Sequence, residues 1–174
     1  MQRLVVMGPS GSGKSTIGAA LADRLRLPFI DADDLHTAAN RSRMAAGVPL
    51  TDEDRGPWLI AVGERLAASD RGAVIACSAL RRAYRGIILA HASDAVFVEL
   101  TVDDSLLRSR LTSRAGHFMP AALLESQLAT LEPLGADEPG IRVDTGASPD
   151  RVVETIIREL AGRGGGTPGP TPID

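Results

Sequence analysis

The chain has 174 residues, room for one ordinary domain with a real core. Charged residues make up 24% and hydrophobic ones 44%, the proportions of a folded globular protein rather than a disordered one. The net charge of −3, the lack of a long basic run and the presence of only five aromatics argue against a nucleic-acid partner.

No apolar run approaches the ~20 residues of a membrane helix, and the first residues lack a secretory h-region, so the expectation is a cytoplasmic protein without a membrane partner. The lone Cys77 can form no internal disulfide and fits a reduced compartment; it ends an apolar run and is read as packing.

In chain order, residues 3–7 form a short apolar run ending in glycines, a buried strand. Ile17, Leu21 and Leu25 then mark a helix over 15–26. Residues 28–31 are a second strand, followed by a helix over about 34–46 that stops before Gly47 and Pro49. Pro57 opens another helix at its first turn, with Leu59, Val62 and Leu66 on one face and Trp58 in the core. Residues 73–77 are strand three, with a helix over about 80–91. Residues 95–100 are strand four, with helices over about 103–113 and from 119 to about 131. Residues 141–144 are the last strand and about 149–161 the last helix. The order β-α-β-α-α-β-α-β-α-α-β-α, with continuously apolar strands, predicts a five-stranded parallel α/β sheet covered by helices on both faces. Residues 1–161 are read as a single domain, and the Gly/Pro-rich residues 162–174 as a disordered tail.

Gly8-Pro9-Ser10-Gly11-Ser12-Gly13-Lys14-Ser15, followed by Thr16, satisfies G-x-x-x-x-G-K-[ST] between a strand and a helix. Glycines let successive backbone N–H groups turn inward on phosphate oxygens, and the helix N-terminus adds partial positive charge. Lys14 is the single lysine among 19 basic residues. Arginine supplies surface charge elsewhere, so a lysine here points to a mobile point charge on the β- and γ-phosphates. Ser15 offers a hydroxyl to Mg²⁺. The motif predicts ATP binding in a P-loop NTPase fold.

Asp31 and Asp33 close strand two. Their i, i+2 spacing turns both carboxylates toward the carboxyl edge of the sheet, where such folds bind ligands. One can hold the metal's outer shell, here Asp31, and one can orient the attacking hydroxyl, here Asp33. Asp34 is read as a helix cap.

Further residues carry a resemblance. Asp31-Ala-Asp33-Asp-Leu-His36, Asn40, Arg43-Met44 and the run from Gly47 through Asp52, Asp54, Arg55 and Pro57-Trp58-Leu59 are similar to the acceptor region of gluconate kinases. So are Cys77-Ser78-Ala79-Leu80-Arg81-Arg82-Ala-Tyr84-Arg85, Arg114-Ala-Gly116-His117-Phe118-Met119, Gln127, Leu131-Glu132-Pro133 and Asp137-Glu138. The family usually has Lys where Arg43 and Arg81 stand, and often Pro where Thr37 stands. The resemblance implies an adenylate-kinase-like fold, ATP with Mg²⁺, transfer to the 6-hydroxyl of D-gluconate, and a homodimer. An acceptor with one carboxylate and a row of hydroxyls needs a cationic fork and several hydrogen-bonding groups. His36, Arg43, Arg55, Arg81 and Arg85 are the candidate cations; Asp33 and Ser78 are the candidate hydroxyl partners, on acceptor-binding helices over about 34–70 and the loop after strand three. Residues 108–119 look like the lid of related kinases, with Arg110 and Arg114 toward ATP and His117 toward the acceptor. A shikimate-like kinase, or a nucleotide-dependent regulatory protein, is the alternative reading.

Overall fold

A computed structural model describes residues 2–103, 105, 107 and 121–164. Five strands, β1 (Gln2–Met7), β2 (Phe29–Asp31), β3 (Gly72–Ala76), β4 (Ala95–Thr101) and β5 (Gly140–Asp144), form one parallel sheet in the order β2-β3-β1-β4-β5. The register pairs Val5 with Ile75, Asp31 with Ala76, Val6 with Val98 and Val98 with Ile141. The ends of β1, β2 and β3 therefore stand level at one edge. The helices are α1 (Lys14–Leu25), α2 (Ala38–Ala45), α3 (Asp52–Ala67), α4 (Arg82–His91), α5 (Ala121–Thr130) and α6 (Pro149–Gly164).

Strand residues alternate between two cores, because successive side chains point to opposite faces. Val5, Met7, Ala73, Ile75, Cys77, Ala95 and Phe97 pack with Trp58, Leu59, Val62 and Leu66 of α3 and with Tyr84 and Ile88 of α4. Leu4, Val6, Val74, Val98, Leu100, Ile141 and Val143 pack with Ile17 and Leu21 of α1 and Val152, Val153 and Ile156 of α6. Burial on both faces explains why the strands read as unbroken apolar runs. The predicted parallel sheet sandwiched by helices is the observed fold.

Three predicted boundaries are corrected. The helix expected over about 34–46 is two pieces, a 3₁₀ turn (Ala32–Leu35) and α2. Thr37 divides them, because its hydroxyl accepts from the Asn40 N–H at 3.1 Å and starts a new helix. Asp34 thus lies inside the 3₁₀ turn and does not cap α2. Pro57 does not open α3 but lies within it, since Thr51, six residues earlier, forms a reciprocal capping box with Asp54 and starts the helix. The final helix continues to Gly164, past the expected end at 161, and the Arg163 guanidinium donates to the Gly140 carbonyl. Most of the helix expected over 103–113, the lid with Arg108, Arg110, Arg114 and His117, and residues 165–174 lie outside the described residues.

Candidate active site

The turn from β1 into α1 is the expected cradle. Gly8 has φ 145° and Gly13 φ 96°, backbone that side chains resist. A β-carbon at Gly8 would also stand 2.8 Å from the Ser12 hydroxyl and 3.0 Å from the Leu100 carbonyl, so this glycine is required by space as well as by conformation. No side chain caps the start of α1, the arrangement in which first-turn amides can receive an anion. Lys14 Nζ donates to the Pro9 carbonyl at 3.0 Å, arching over the loop it belongs to. The Ser10 N–H is held by Gln127 Oε1 of α5 at 2.7 Å. The donor set suits a polyphosphate: backbone amides, the Lys14 ammonium group and the hydroxyls of Ser15 and Thr16.

Beside the cradle, Ser15 Oγ donates to Asp31 Oδ2 at 3.0 Å. These are the two residues expected on the metal side, and the fold brings them together from α1 and β2. A hydroxyl and a carboxylate in contact at a phosphate cradle fit Mg²⁺, which keeps most of its water and takes few protein ligands. Among the described residues no cluster of three or more His, Cys, Asp or Glu side chains could by itself enclose a metal. Asp31 also accepts from the Asp33 N–H at 3.1 Å and so caps the 3₁₀ turn.

Asp33 reaches the same edge by another route than the expected one. It lies in the 3₁₀ turn, so strand alternation does not orient it. Partial burial in the crevice raises its carboxyl above the usual range, the neighbouring Asp31 charge raises it further, and Lys14 opposes both. At Cys77, just beyond β3, burial pushes the thiol up to about 12, and the charges of Lys14, Asp33 and Asp31 all act on it. Lys14, Asp31 and Asp33 therefore converge at the end of β3, while Cys77 beneath them is a packed thiol, as its sequence position suggests.

His36 corrects the sequence reading. It caps the 3₁₀ turn and stacks on Trp58, with ring centroids 4.2 Å apart and planes 13° from parallel. Trp58 Nε1 donates to the Ala32 carbonyl at 2.7 Å, locking the pair under the carboxylate turn. Burial first, then the Arg55 and Arg41 charges, lower the His36 pKa to about 4, so it is neutral near pH 7 and is no cation. Its buried Nδ1 has no hydrogen-bond partner among the described residues.

The expected arginines divide. Arg81 Nη1 meets Asp52 Oδ2 at 2.7 Å, and the Tyr84 hydroxyl donates to the other Asp52 oxygen. Arg55 and Arg81 stand over the Tyr84 ring at 5.7 and 5.8 Å, forming one cationic group around an aromatic platform. Arg43 Nη1 pairs with Asp54 Oδ2 at 2.8 Å, tying α2 to the start of α3, where Asn40 Nδ2 also donates to the Asp54 carbonyl. Arg85 departs from expectation. It is fully buried, with Nε and Nη2 taken by Glu138 and Nη1 by the Ala79 and Glu132 carbonyls, so it is not an open substrate cation. Ser78 stands where β3 ends, and its carbonyl accepts from the Gly8 N–H at 3.3 Å.

Asp52, Tyr84, Gln127 and Glu138 had no assigned role in the sequence reading. Tyr84 lies three residues after Arg81 on α4, a spacing that could have paired them. The partners across α3, α5 and the segment before β5 have no such local signal.

The Shikimate kinase family model matches residues 10–161. The chain is 48% identical over 160 residues to a gluconokinase of Gluconobacter oxydans, covering 90% of each chain. It is 43% identical over 147 residues to the thermosensitive gluconokinase of Escherichia coli, covering 82% of this chain and 79% of that one. The crystal structure of a gluconokinase from Sinorhizobium meliloti superposes with a TM-score of 0.86 at 44% identity, over 93% of both chains. A shikimate kinase from Aquifex aeolicus shares the fold alone, with a TM-score of 0.62 at 18% identity. With a phosphate cradle, a joined Ser15–Asp31 pair and this degree of likeness along nearly its whole length, the chain belongs to the gluconokinases, within the shikimate kinase family of P-loop kinases.

Proposed function

We propose that the protein is a gluconokinase that transfers the γ-phosphoryl group of ATP to the 6-hydroxyl of D-gluconate, giving ADP and 6-phospho-D-gluconate. The observation that carries the reading is the 48% identity to a gluconokinase over 90% of each chain. The convergence of a P-loop with Asp31 and Asp33 supports the chemistry.

Gly8, Ser10, Gly11, Ser12, Gly13, Lys14, Ser15 and Thr16 would hold the phosphates, with Ser15 and Asp31 on the Mg²⁺ side. Mg²⁺, when bound, neutralises phosphate charge and fixes the phosphate oxygens in orientation. Lys14 spreads positive charge over the same oxygens and can leave Pro9 to do so, since its bond there is to a neutral carbonyl. Asp33 orients the acceptor hydroxyl and takes its proton. Its raised pKa makes it a somewhat better base than an ordinary aspartate. A loose transition state asks little base strength, so orientation is the larger part of its work.

Neutral His36 can offer a hydrogen bond to a hydroxyl without attracting competing anions. Arg55 and Arg81 would take the acceptor carboxylate, with Arg43 nearby and Ser78 on a hydroxyl. Arg110 and Arg114 are assigned to the ATP side and His117 to the acceptor. The protein is further proposed to be a cytoplasmic homodimer; among the described residues no helix is long and apolar enough to cross a membrane.

The test is ADP release with Mg²⁺ and ATP in the presence of gluconate, shikimate or nucleoside monophosphates. Stimulation by gluconate alone is expected. Stimulation by shikimate instead would move the chain to a shikimate-like acceptor, and ATP hydrolysis indifferent to all three would indicate a regulatory ATPase.

A further inference from the structure

Arg85 is an arginine with no exposed surface, and its bonds explain how that is tolerated. Nε donates to Glu138 Oε1 at 2.6 Å and Nη2 to Glu138 Oε2 at 2.8 Å, a two-point ion pair. Nη1 donates to the Ala79 carbonyl at 3.2 Å and the Glu132 carbonyl at 3.0 Å. A charge buried this completely needs both a counter-ion and filled hydrogen bonds, and here it has both. Glu138 is itself fixed by the Gly135 N–H at 2.9 Å.

The carbonyl it holds belongs to an unusual residue. Ala79 has φ 41°, left-handed backbone that a β-carbon disfavours and that persists only where surroundings impose it. On one side of Ala79, the Ser78 carbonyl accepts from the Gly8 N–H at the start of the P-loop. On the other, the Leu80 carbonyl accepts from the Glu132 N–H at 2.8 Å, the Glu132 carboxylate accepts from the Arg82 N–H at 2.7 Å, and Arg81 reaches Asp52. The strained turn thus joins the phosphate cradle to the cationic group around Tyr84.

We infer that Arg85 is a positioning residue: with Glu138 it holds the left-handed turn at Ala79 and so sets where Ser78 and Arg81 stand relative to the P-loop. The inference rests on the proposed acceptor role of the loop over 77–82. It makes Arg85 act through the backbone rather than on the substrate. Lysine cannot replace it, because a single ammonium group cannot face Glu138 and two carbonyls in one plane.

Steady-state kinetics with gluconate and ATP varied separately test this in Arg85→Lys and Glu138→Gln, each with and without Ala79→Gly. Both single variants should raise the gluconate KM about tenfold, as expected of a small misplacement, and the ATP KM by less than about threefold. Ala79→Gly should recover part of the loss in either background, because glycine adopts φ 41° without the steric cost a β-carbon brings. A normal gluconate KM in Glu138→Gln beside a raised one in Arg85→Lys would mean direct substrate contact and overturn the inference. So would no recovery by Ala79→Gly, or a fall in kcat that follows folded fraction by circular dichroism with both KM values unchanged. If Arg85→Lys does not fold, the near-isosteric Glu138→Gln decides by the same criteria. A wild type that turns over no gluconate overturns the proposed function, and the inference with it, before any variant is compared.

Discussion

On the nucleotide side of the crevice the proposed phosphate-holding groups come from one stretch, residues 8–16, and most are backbone amides shaped by glycines and the start of α1. On the proposed acceptor side they are side chains drawn from the turn after β2, from α2, from α3 and from the loop between β3 and α4. The first half owes its geometry to local conformation and one lysine. The second half is held by pairs its members make with one another: Arg43 with Asp54, Arg81 with Asp52, and His36 on Trp58. The difference teaches where each half should be fragile. The cradle tolerates no change of its few charged or conformationally special groups, whereas the acceptor half should fail gradually, one contact at a time.

The sharpest way to break that comparison is Lys14. Lys14→Ala should lower turnover by at least about 10³-fold, the scale of losing a preorganised charge at a transition state. Lys14→Arg should not restore it, because a planar fork cannot follow the arch of the loop. Near-normal turnover by the arginine variant would show the cradle to be as forgiving as the acceptor side.

Next is the pair of carboxylates where the two halves meet. Asp33→Asn should lower turnover by roughly 10²-fold, with ATP binding retained. Asp31→Asn should instead raise the Mg²⁺ concentration for half-maximal rate, since it removes the negative charge beside Ser15. A Mg²⁺ defect confined to the Asp33 variant would reverse the two roles.

A smaller effect is expected from Arg81→Ala. The gluconate KM should rise about tenfold, while the melting temperature stays nearly constant, because an exposed ion pair contributes only about 0–1 kcal/mol. Loss of ATP affinity in this variant would move Arg81 to the nucleotide half.

The smallest effect is on stability and follows the sign of the His36 shift. Its folded pKa, about 4, lies below the usual value of 6.5, so between those values the unfolded chain binds more protons. The stability supplied by neutral His36 is complete above about pH 6.5 and is lost as pH falls toward 4. The loss should be on the order of 2 kcal/mol. Urea unfolding of wild type and His36→Phe, which keeps the ring stack, would show it as a difference confined to the acid range. Parallel pH profiles would mean that His36 is not held neutral.

The cradle was legible because its information is local. A strand, a set spacing of glycines, a lysine and a helix start specify the same loop wherever they occur. The proposed acceptor residues can be picked out in the sequence but not sorted there by role. Arg43, Arg55, Arg81 and Arg85 look alike in one dimension, and only burial separates Arg85, committed to Glu138, from the other three. His36 was misread as a cation for the same reason: its neutrality comes from Trp58, Arg55 and Arg41 packed around it.

Alternating strands and helices, continuous apolar runs and the P-loop motif were enough by themselves to determine a parallel sheet with a phosphate site at its carboxyl edge. Periodicity and glycine spacing report backbone conformation, and backbone conformation is chosen locally. The tertiary structure alone decided the strand order, the break at Thr37, the meeting of Ser15 with Asp31 and the left-handed turn at Ala79 held by Arg85. Each of these depends on hydrogen bonds or burial between segments far apart in the chain, and those energies exist only once the sheet has brought the segments together.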